Sequence, residues 1–405
     1  MADIFCANTF RGNFMSRKTN ANSLGGKAAV STILAIALGW QAGANAEGLV
    51  VKIGHASPLS GPNAHYGKDT EEGARMAVEE LNAKGIKIGG ETAKFILLSE
   101  DDASDPKQGT AVAQKFVDDK VNGVIGHMNS GTTIPASKVY YEAGIPEISP
   151  SATNPKYTQQ GFNTAFRVVA NDGQLGGTLG RYAVQISKAR NIAVIDDGTA
   201  YGQGVATEFA KGALGKSPAV TIVSTQHTTD KTTDFGAILT TIKGKNPDLI
   251  FFGGMDAVGG PILKQMKQLG ISAKFMGGDG ICSSDFAQLA GDGLGEGRVV
   301  CAEAGGVEES QKAGLNKFKG DFSKKFGHEV VLNAPYAYDA VMTMVDAMQK
   351  AGSAEPAKYL PELAKIKHKG VTGTIAFDKN GDILDGTLTL YTYKNGKREL
   401  ITVTK

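Results

Sequence analysis

VIGHMNSGTTIPAS, residues 124–137, runs from the end of an apolar, β-branched segment through a histidine into a cluster of hydroxyls. Val121–Ile125 has the composition of a short buried strand, and the stretch from Pro135 to Ala143 reads as a helix. Ser130 then falls at the N-terminal end of that helix, where two chemistries compete. One makes Ser130 a nucleophile and His127 its base. In the other, the Ser130 hydroxyl, Thr132, Thr133 and free backbone amides converge on an anion, or simply cap the helix. In an extended segment, residues three apart point to opposite faces, which separates His127 from Ser130. The strained Gly-x-Ser-x-Gly turn of serine hydrolases is also missing, because Met128 stands at its first glycine.

The strand-then-helix unit recurs on both sides. Val50–Ile53, Phe95–Leu98 and Ile145–Ser149 read as strands, and so do Phe166–Val169, Asn191–Ile195, Val220–Val223, Leu249–Phe252, Lys274–Met276 and Arg298–Val300. Between the first two, Ala74, Ala77, Val78 and Leu81 recur at i, i+3, i+4, i+7, one face of a helix. Further helices are expected at about Gln108–Asp119, Gln174–Ser187, Gly202–Leu214, Phe235–Lys243 and Gly260–Leu269. Such alternation builds parallel, doubly wound sheets with right-handed crossovers. After Val300 the order changes to helices near 308–327, 335–351 and 356–366, then strands Thr374–Phe377, Leu388–Tyr393 and Leu400–Val403. Two successive blocks imply an α/β protein of two lobes, with a ligand in the cleft between them, at the C-terminal strand ends. Asp378–Asp382 has calcium-loop composition without the ligand spacing or the closing Glu, so a hairpin turn is expected there.

Residues 1–46 read as a secretory leader. Arg11, Arg17, Lys18 and Lys27 precede or flank a thirteen-residue, mostly apolar run, Ala28 to Trp40, which is too short to span a bilayer. Ala44-Asn45-Ala46 supplies the small-x-small cleavage pattern, with cleavage expected after Ala46. Met1 and Met15 both remain as starts. The whole chain has 43 basic and 41 acidic residues; without the four bases and one acid of the leader, 39 and 40 remain. A balanced surface does not provide the basic footprint that nucleic acid or an anionic membrane requires.

Other catalytic motifs fail on inspection. Gly215-Lys216-Ser217 ends like a phosphate loop, but Ala210 stands where its first glycine belongs. Six histidines, none paired in a ligand motif, give no metal site, and no cofactor is implied. Cys6 leaves with the leader. Cys282 and Cys301 remain beside the ends of expected strands, where they form either a disulfide or two buried thiols.

Taken in order, the motifs resemble the leucine/isoleucine/valine-binding proteins of ABC transporters, which have the type I periplasmic-binding-protein fold. The landmarks are Ile53-Gly54, Leu59-Ser60-Gly61-Pro62, Tyr66-Gly67, Asp101-Asp102-Ala103 and Asp105-Pro106-Lys107-Gln108. They continue with Val124-Ile125-Gly126-His127, Pro150-Ser151-Ala152-Thr153, Tyr201-Gly202-Gln203-Gly204, Phe251-Phe252-Gly253-Gly254 and Phe275-Met276-Gly277-Gly278-Asp279-Gly280. The resemblance implies two lobes joined by three chain crossings, with residues 48–170 and 304–378 in one lobe and 171–303 and 379–405 in the other. It implies an exported, monomeric binding protein that delivers branched-chain amino acids from the periplasm to an inner-membrane permease.

The resemblance also implies a site. Ser130 would hold the ligand α-carboxylate, Thr153 would touch both carboxylate and ammonium, and Ser151 would offer its backbone carbonyl. Tyr201 would lie at the cleft edge of the second lobe, and Asp279 would pair with the α-ammonium where family members often carry glutamate. Tyr66 and Met255 would line the side-chain pocket, where relatives commonly use aromatics, and Tyr336 is a further pocket candidate. The family's first-lobe disulfide has no counterpart, since Ala103 and Asn129 occupy its places. Another small ligand, such as an amide, urea, an aromatic carboxylate or a different amino acid, is the alternative within this fold. A periplasmic hydrolase is the alternative outside it.

Overall fold

The structure is a computed structural model that describes residues 48–215, 220–306 and 312–404. The expected leader lies outside these residues, as does the start of the helix expected near 308–327. In the first half of the chain, β1 (Val50–Ser57) leads through α1 (Ala64–Ala83) and a small hairpin, β2 (Lys87–Ile88) and β3 (Glu91–Thr92), to β4 (Lys94–Asp101). Then come α2 (Pro106–Asp118), β5 (Gly123–Gly126), α3 (Ser130–Ala143), β6 (Glu147–Ser149) and β7 (Ala165–Arg167). The five main strands form a parallel sheet in the order β4-β1-β5-β6-β7. Every residue of β5 is buried, as a parallel strand covered on both faces requires. On α1, the predicted face of Ala74, Ala77, Val78 and Leu81 is buried.

The second sheet begins after α4 (Asp172–Gln185). Its elements are β8 (Asn191–Asp196), α5 (Ala200–Leu214), β9 (Thr221–His227), α6 (Gly236–Lys243), β10 (Leu249–Gly253), α7 (Asp256–Gln268), β11 (Lys274–Gly277), α8 (Phe286–Ala290) and β12 (Val299–Glu303). The chain then builds α9 (Lys312–Phe326), α10 (Ala334–Ala351), α11 (Pro356–Ala364) and the short pair β13 (His368–Lys369) and β14 (Thr374–Ile375). It closes with β15 (Leu388–Lys394) and β16 (Lys397–Thr404). The second sheet runs β16-β15-β12-β11-β10-β8-β9, parallel except for the two C-terminal strands. Helix α10 packs on α1 and against β5 and β6, so the chain returns to the first sheet before finishing in the second.

The chain therefore passes between the lobes three times, and the passages lie side by side. Ala170 N–H donates to Ala304 O at 3.1 Å, and Arg167 N–H donates to Gly381 O at 2.9 Å. The Asp378–Asp382 stretch is a turn closed by Asp378 N–H on Asp382 O, 2.7 Å, between the paired residues Phe377 and Ile383. Two helices begin earlier than the sequence suggests: α3 at Ser130 and α7 at Asp256, with Pro135 and Pro261 inside them. Proline removes one intrahelical bond, which makes it read as a boundary. Here each sits in the second turn of a helix packed against its neighbours, and the loss is tolerated.

Arg167 at the end of β7 is fully buried. Its guanidinium donates to the Asp382 carboxylate, to the carbonyls of Ala152 (2.8 Å) and Asn154 (3.0 Å), and to Thr158 Oγ1 (2.7 Å). It thus joins the crossing segment at 382 to the loop carrying Thr153. Removing the acid strands a buried charge. Asp382→Ala should therefore cost about 3–5 kcal/mol of stability in urea unfolding, against under about 1 kcal/mol for substitution of the exposed Asp230.

Candidate ligand-binding site

Both sheets point the C-terminal ends of their parallel strands toward the gap between the lobes, and the loops there carry polar side chains. On the first lobe, Ser130 is the first residue of α3 and is almost fully buried. Its Oγ accepts from Asn154 N–H at 3.2 Å. The Ser130 and Gly131 N–H groups are first-turn donors that the helix itself cannot satisfy. Thr132 and Thr133 behave differently from the expected cluster. Both hydroxyls donate to the Asn129 carbonyl, at 2.9 and 2.8 Å, and both backbone N–H groups do the same. They cap and tighten the turn, and of the three hydroxyls it is that of Ser130 whose residue lines the cavity between the lobes.

His127 is not a base for Ser130. Its ring is buried between Asp102, with Nδ1 to Oδ2 at 2.8 Å, and the Tyr140 hydroxyl, with Nε2 to O at 2.9 Å. The His127 carbonyl accepts from Thr133 Oγ1 and Ser149 Oγ. Ser149 Oγ in turn accepts from Ala152 N–H at 2.9 Å, and Ser151 Oγ donates to Met128 O at 2.9 Å. The histidine thus builds the floor on which the Ser130 and Ser151 loops rest.

The facing lobe contributes acid. Asp279 follows β11, and burial pushes its carboxyl up to about 6, against the stabilising hydroxyl of Tyr201. Tyr201 donates to Asp279 Oδ1 at 2.6 Å and accepts from Gly280 N–H at 2.9 Å. A Cβ on Gly280 would lie 2.5 Å from Gly254 O and 2.8 Å from the Tyr201 ring, so this close loop packing requires glycine. Cys282 and Cys301 are joined in a disulfide, Cα to Cα 5.4 Å, tying the same loop to β12. The Tyr393 hydroxyl adds bonds to the carbonyls of Ile281 and Ser283, both 3.0 Å.

A cavity of about 30 Å³ lies between the lobes, closed down well below the roughly 300–1,000 Å³ of open ligand pockets. Tyr66, Ser130, Ser151, Tyr201, Met255 and Asp279 all line it. Thr153 sits just behind the lining. It is fully buried, and its hydroxyl makes no well-formed hydrogen bond to a described residue. The lobes meet over this space: Tyr66 donates to Gly280 O at 3.0 Å, and Asn154 Nδ2 donates to Ala200 O at 2.7 Å. Tyr336 lies elsewhere. It bonds Glu303 at 3.0 Å and lines a separate cavity at the chain crossings.

Several residues at the site escaped sequence reasoning. Met128, Asn129, Gly280, Leu332 and Asn333 complete the cavity wall. Leu332 and Asn333 are placed by Asp69 of α1, whose carboxylate accepts four consecutive N–H groups, Val331 to Ala334, at 2.6–3.1 Å. Asp172 is the other omission. It is fully buried beside Thr153, and neither carboxylate oxygen makes a well-formed hydrogen bond to a described residue. Burial raises its carboxyl well above the usual range, the neighbouring Thr153 hydroxyl works against that, and the charge of Asp279 adds to the rise. In sequence Asp172 reads only as an acid in the first turn of α4.

A two-lobed α/β frame, three crossings and a polar cavity at the facing strand ends together define a solute-binding protein. The chain belongs to the periplasmic binding protein family, which it matches over residues 50–398. It is 39% identical over 351 residues to "Leu/Ile/Val-binding protein homolog 1" of Brucella abortus, covering 85% of this chain and 91% of that one. To the "Leucine-, isoleucine-, valine-, threonine-, and alanine-binding protein" of Pseudomonas aeruginosa it is 34% identical over 341 residues, 84% and 89% of the two chains. Among solved structures, it resembles a Streptococcus pneumoniae branched-chain amino acid transporter substrate binding protein in complex with isoleucine. The TM-score is 0.78 at 28% identity, covering 87% of this chain and 99% of the other.

The Tyr201 hydroxyl is the side-chain donor that offsets the burial of Asp279. Tyr201→Phe should therefore raise the Asp279 carboxyl further above about 6. A 13C-detected carboxyl titration of the two proteins reads the shift directly.

Proposed function

We propose that this chain is the substrate-binding component of an ABC importer and binds branched-chain aliphatic amino acids between its lobes. The observation that carries the reading is the arrangement of charge-complementary groups around one small cavity. The Ser130 hydroxyl and the first-turn amides of α3 face it from one lobe, and Asp279 faces it from the other. A zwitterion satisfies both ends: its carboxylate goes to Ser130, its ammonium to Asp279, with Thr153 and Asp172 behind. Ser151 offers its carbonyl, and Tyr201 orients the acid. Tyr66, Met128, Met255 and Leu332 supply an apolar wall for the side chain. The isoleucine in the pneumococcal structure and the names of the bacterial relatives agree with this ligand class.

The rest of the reading follows from that role. The lobes comprise 48–170 with 304–378 and 171–303 with 379–405, residues 1–46 are a leader cleaved after Ala46, and the mature monomer works in the periplasm. Closure of the lobes presents the membrane permease with a shape to recognise. The role is binding without catalysis, because the His127 ring is engaged by Asp102 and Tyr140 and does not reach Ser130.

Magnitudes set the expected selectivity. Hydrogen bonds to charged groups are worth about 1.5–3 kcal/mol each, so loss of either ligand charge should be severe. One methylene is worth about 0.8 kcal/mol, so leucine and valine should differ by only a few-fold. Met255, unbranched and polarisable, tolerates either shape.

Titration calorimetry against leucine, isoleucine, valine, alanine, phenylalanine and leucinamide tests the reading. The aliphatic acids should bind with micromolar or tighter affinity and leucinamide should not; silence across the panel would move the ligand class elsewhere. Asp279→Asn should weaken binding at least about tenfold with the fold intact, since a charged bond is lost. Acid should do the same to the native protein. Burial holds the Asp279 carboxyl at about 6, whereas an ammonium against it favours the carboxylate. Affinity is then full above that value and lost as pH falls through it, by about tenfold between pH 7.5 and pH 5. Asp279→Asn should flatten that limb.

A further inference from the structure

Beside the cavity, without lining it, a second ionisable contact joins the lobes. His65 precedes the wall residue Tyr66 on α1, and Asp256 follows the wall residue Met255 at the start of α7. His65 Nε2 lies 2.9 Å from Asp256 Oδ2. The Ser283 hydroxyl donates to the same oxygen, while the other oxygen, Oδ1, is buried with no hydrogen-bond partner among the described residues. Asp256 is wholly buried, in the first helical turn, where free N–H groups favour a negative side chain. The His65 side chain keeps 22% of its surface exposed and rests on the Tyr66 ring, centroids 4.2 Å apart.

We propose that His65 and Asp256 form a proton-linked latch that holds the two lobes closed over the ligand. The contact exists only when the lobes meet, because one partner rides on α1 and the other on α7. Opening would return His65 to water, while Asp256 would keep Ser283 and the helix terminus. The latch therefore costs the open protein little and adds to the closed one.

The groups around the pair agree on the direction of its response. Facing His65 are Asp256 from α7, Asp285 from the segment before α8 and the Pro62 carbonyl of its own lobe. Facing Asp256 are His65, Tyr66, Ser283 and Tyr393 of β15. Behind Tyr393 stands the Arg398 guanidinium, which donates to the Cys282 carbonyl. Burial works to lower the His65 pKa, but the hydrogen bond and charge of Asp256 outweigh it, and the imidazole is raised above its ordinary value. The ordinary histidine value, about 6.5, applies to the open form. The latch contribution is thus fully present below about 6.5 and lost as pH rises through the higher closed-state value. This runs opposite to the carboxyl of Asp279, so affinity should peak between the two limbs.

The inference rests on the amino-acid reading only for its calorimetric probe, isoleucine. Wild type, His65→Gln, Asp256→Asn and the double variant would be titrated from pH 6 to pH 8.5, with thermal unfolding confirming that each is folded. The ratio of wild-type to His65→Gln affinity removes the shared Asp279 contribution. It should be about three- to tenfold at pH 6 and approach one at pH 8.5, and the double variant should lose no more than either single one. A ratio that does not change with pH would overturn the latch. A ligand-independent arm keeps the two readings apart. Spin labels at Gln114→Cys on α2 and Thr207→Cys on α5 report inter-lobe distance in the protein alone. The closed-distance population should grow from pH 8.5 to pH 6 in wild type and stay constant in His65→Gln. If isoleucine fails to bind, the amino-acid reading falls and the label distances still decide the latch. If those distances show no difference between wild type and variant, the latch falls by itself.

Discussion

Two carboxylates buried where the lobes face each other govern the molecule. Asp279 and Asp172 lie in low-dielectric surroundings, and among the described residues no lysine or arginine is hydrogen-bonded to either. A charge in such a place is costly unless a cation meets it. The surrounding structure is arranged to hold the acids there all the same: Tyr201 donates to Asp279, and the disulfide and Tyr393 pin its loop from behind. In the proposed reading, an α-ammonium meeting these acids would convert that cost into binding energy when the lobes are together, which would make ligand affinity and closure one equilibrium.

Closure in turn depends on where the chain crosses. Three segments run side by side between the sheets, linked by Ala170 to Ala304 and Arg167 to Gly381. Side-by-side strands bend together, which permits rotation of one lobe against the other with little change inside either. Arg167 and Asp382 fasten this region to the loop that carries Thr153 beside the cavity. Contacts at the far side of the cleft, Tyr66 to Gly280 and His65 to Asp256, join the two lobes directly.

The fold was legible because parallel strands covered on both faces are short, continuous apolar runs, and such runs stand out between amphipathic helices. Helix starts were less so: Pro135 and Pro261 look like boundaries, yet packing carries each helix through them. The candidate site was legible through resemblance, since Tyr66, Ser130, Ser151, Thr153, Tyr201, Met255 and Asp279 are scattered over the segments that follow six different strands, with no local motif. What stayed hidden was hidden for a physical reason. Asp69 organises the Leu332–Asn333 wall from more than 260 positions away. Asp172 looks like an ordinary helix-start acid until its burial is seen. Thr132 and Thr133 look like anion ligands until their bonds to Asn129 are counted.

A crystal structure of the mature protein with isoleucine near neutral pH is the most direct measurement. The account predicts the α-carboxylate within hydrogen-bond distance of Ser130 Oγ, the ammonium against Asp279, and the side chain on Tyr66, Met255 and Leu332. Isoleucine bound in the reverse orientation, or outside this cavity, would contradict it.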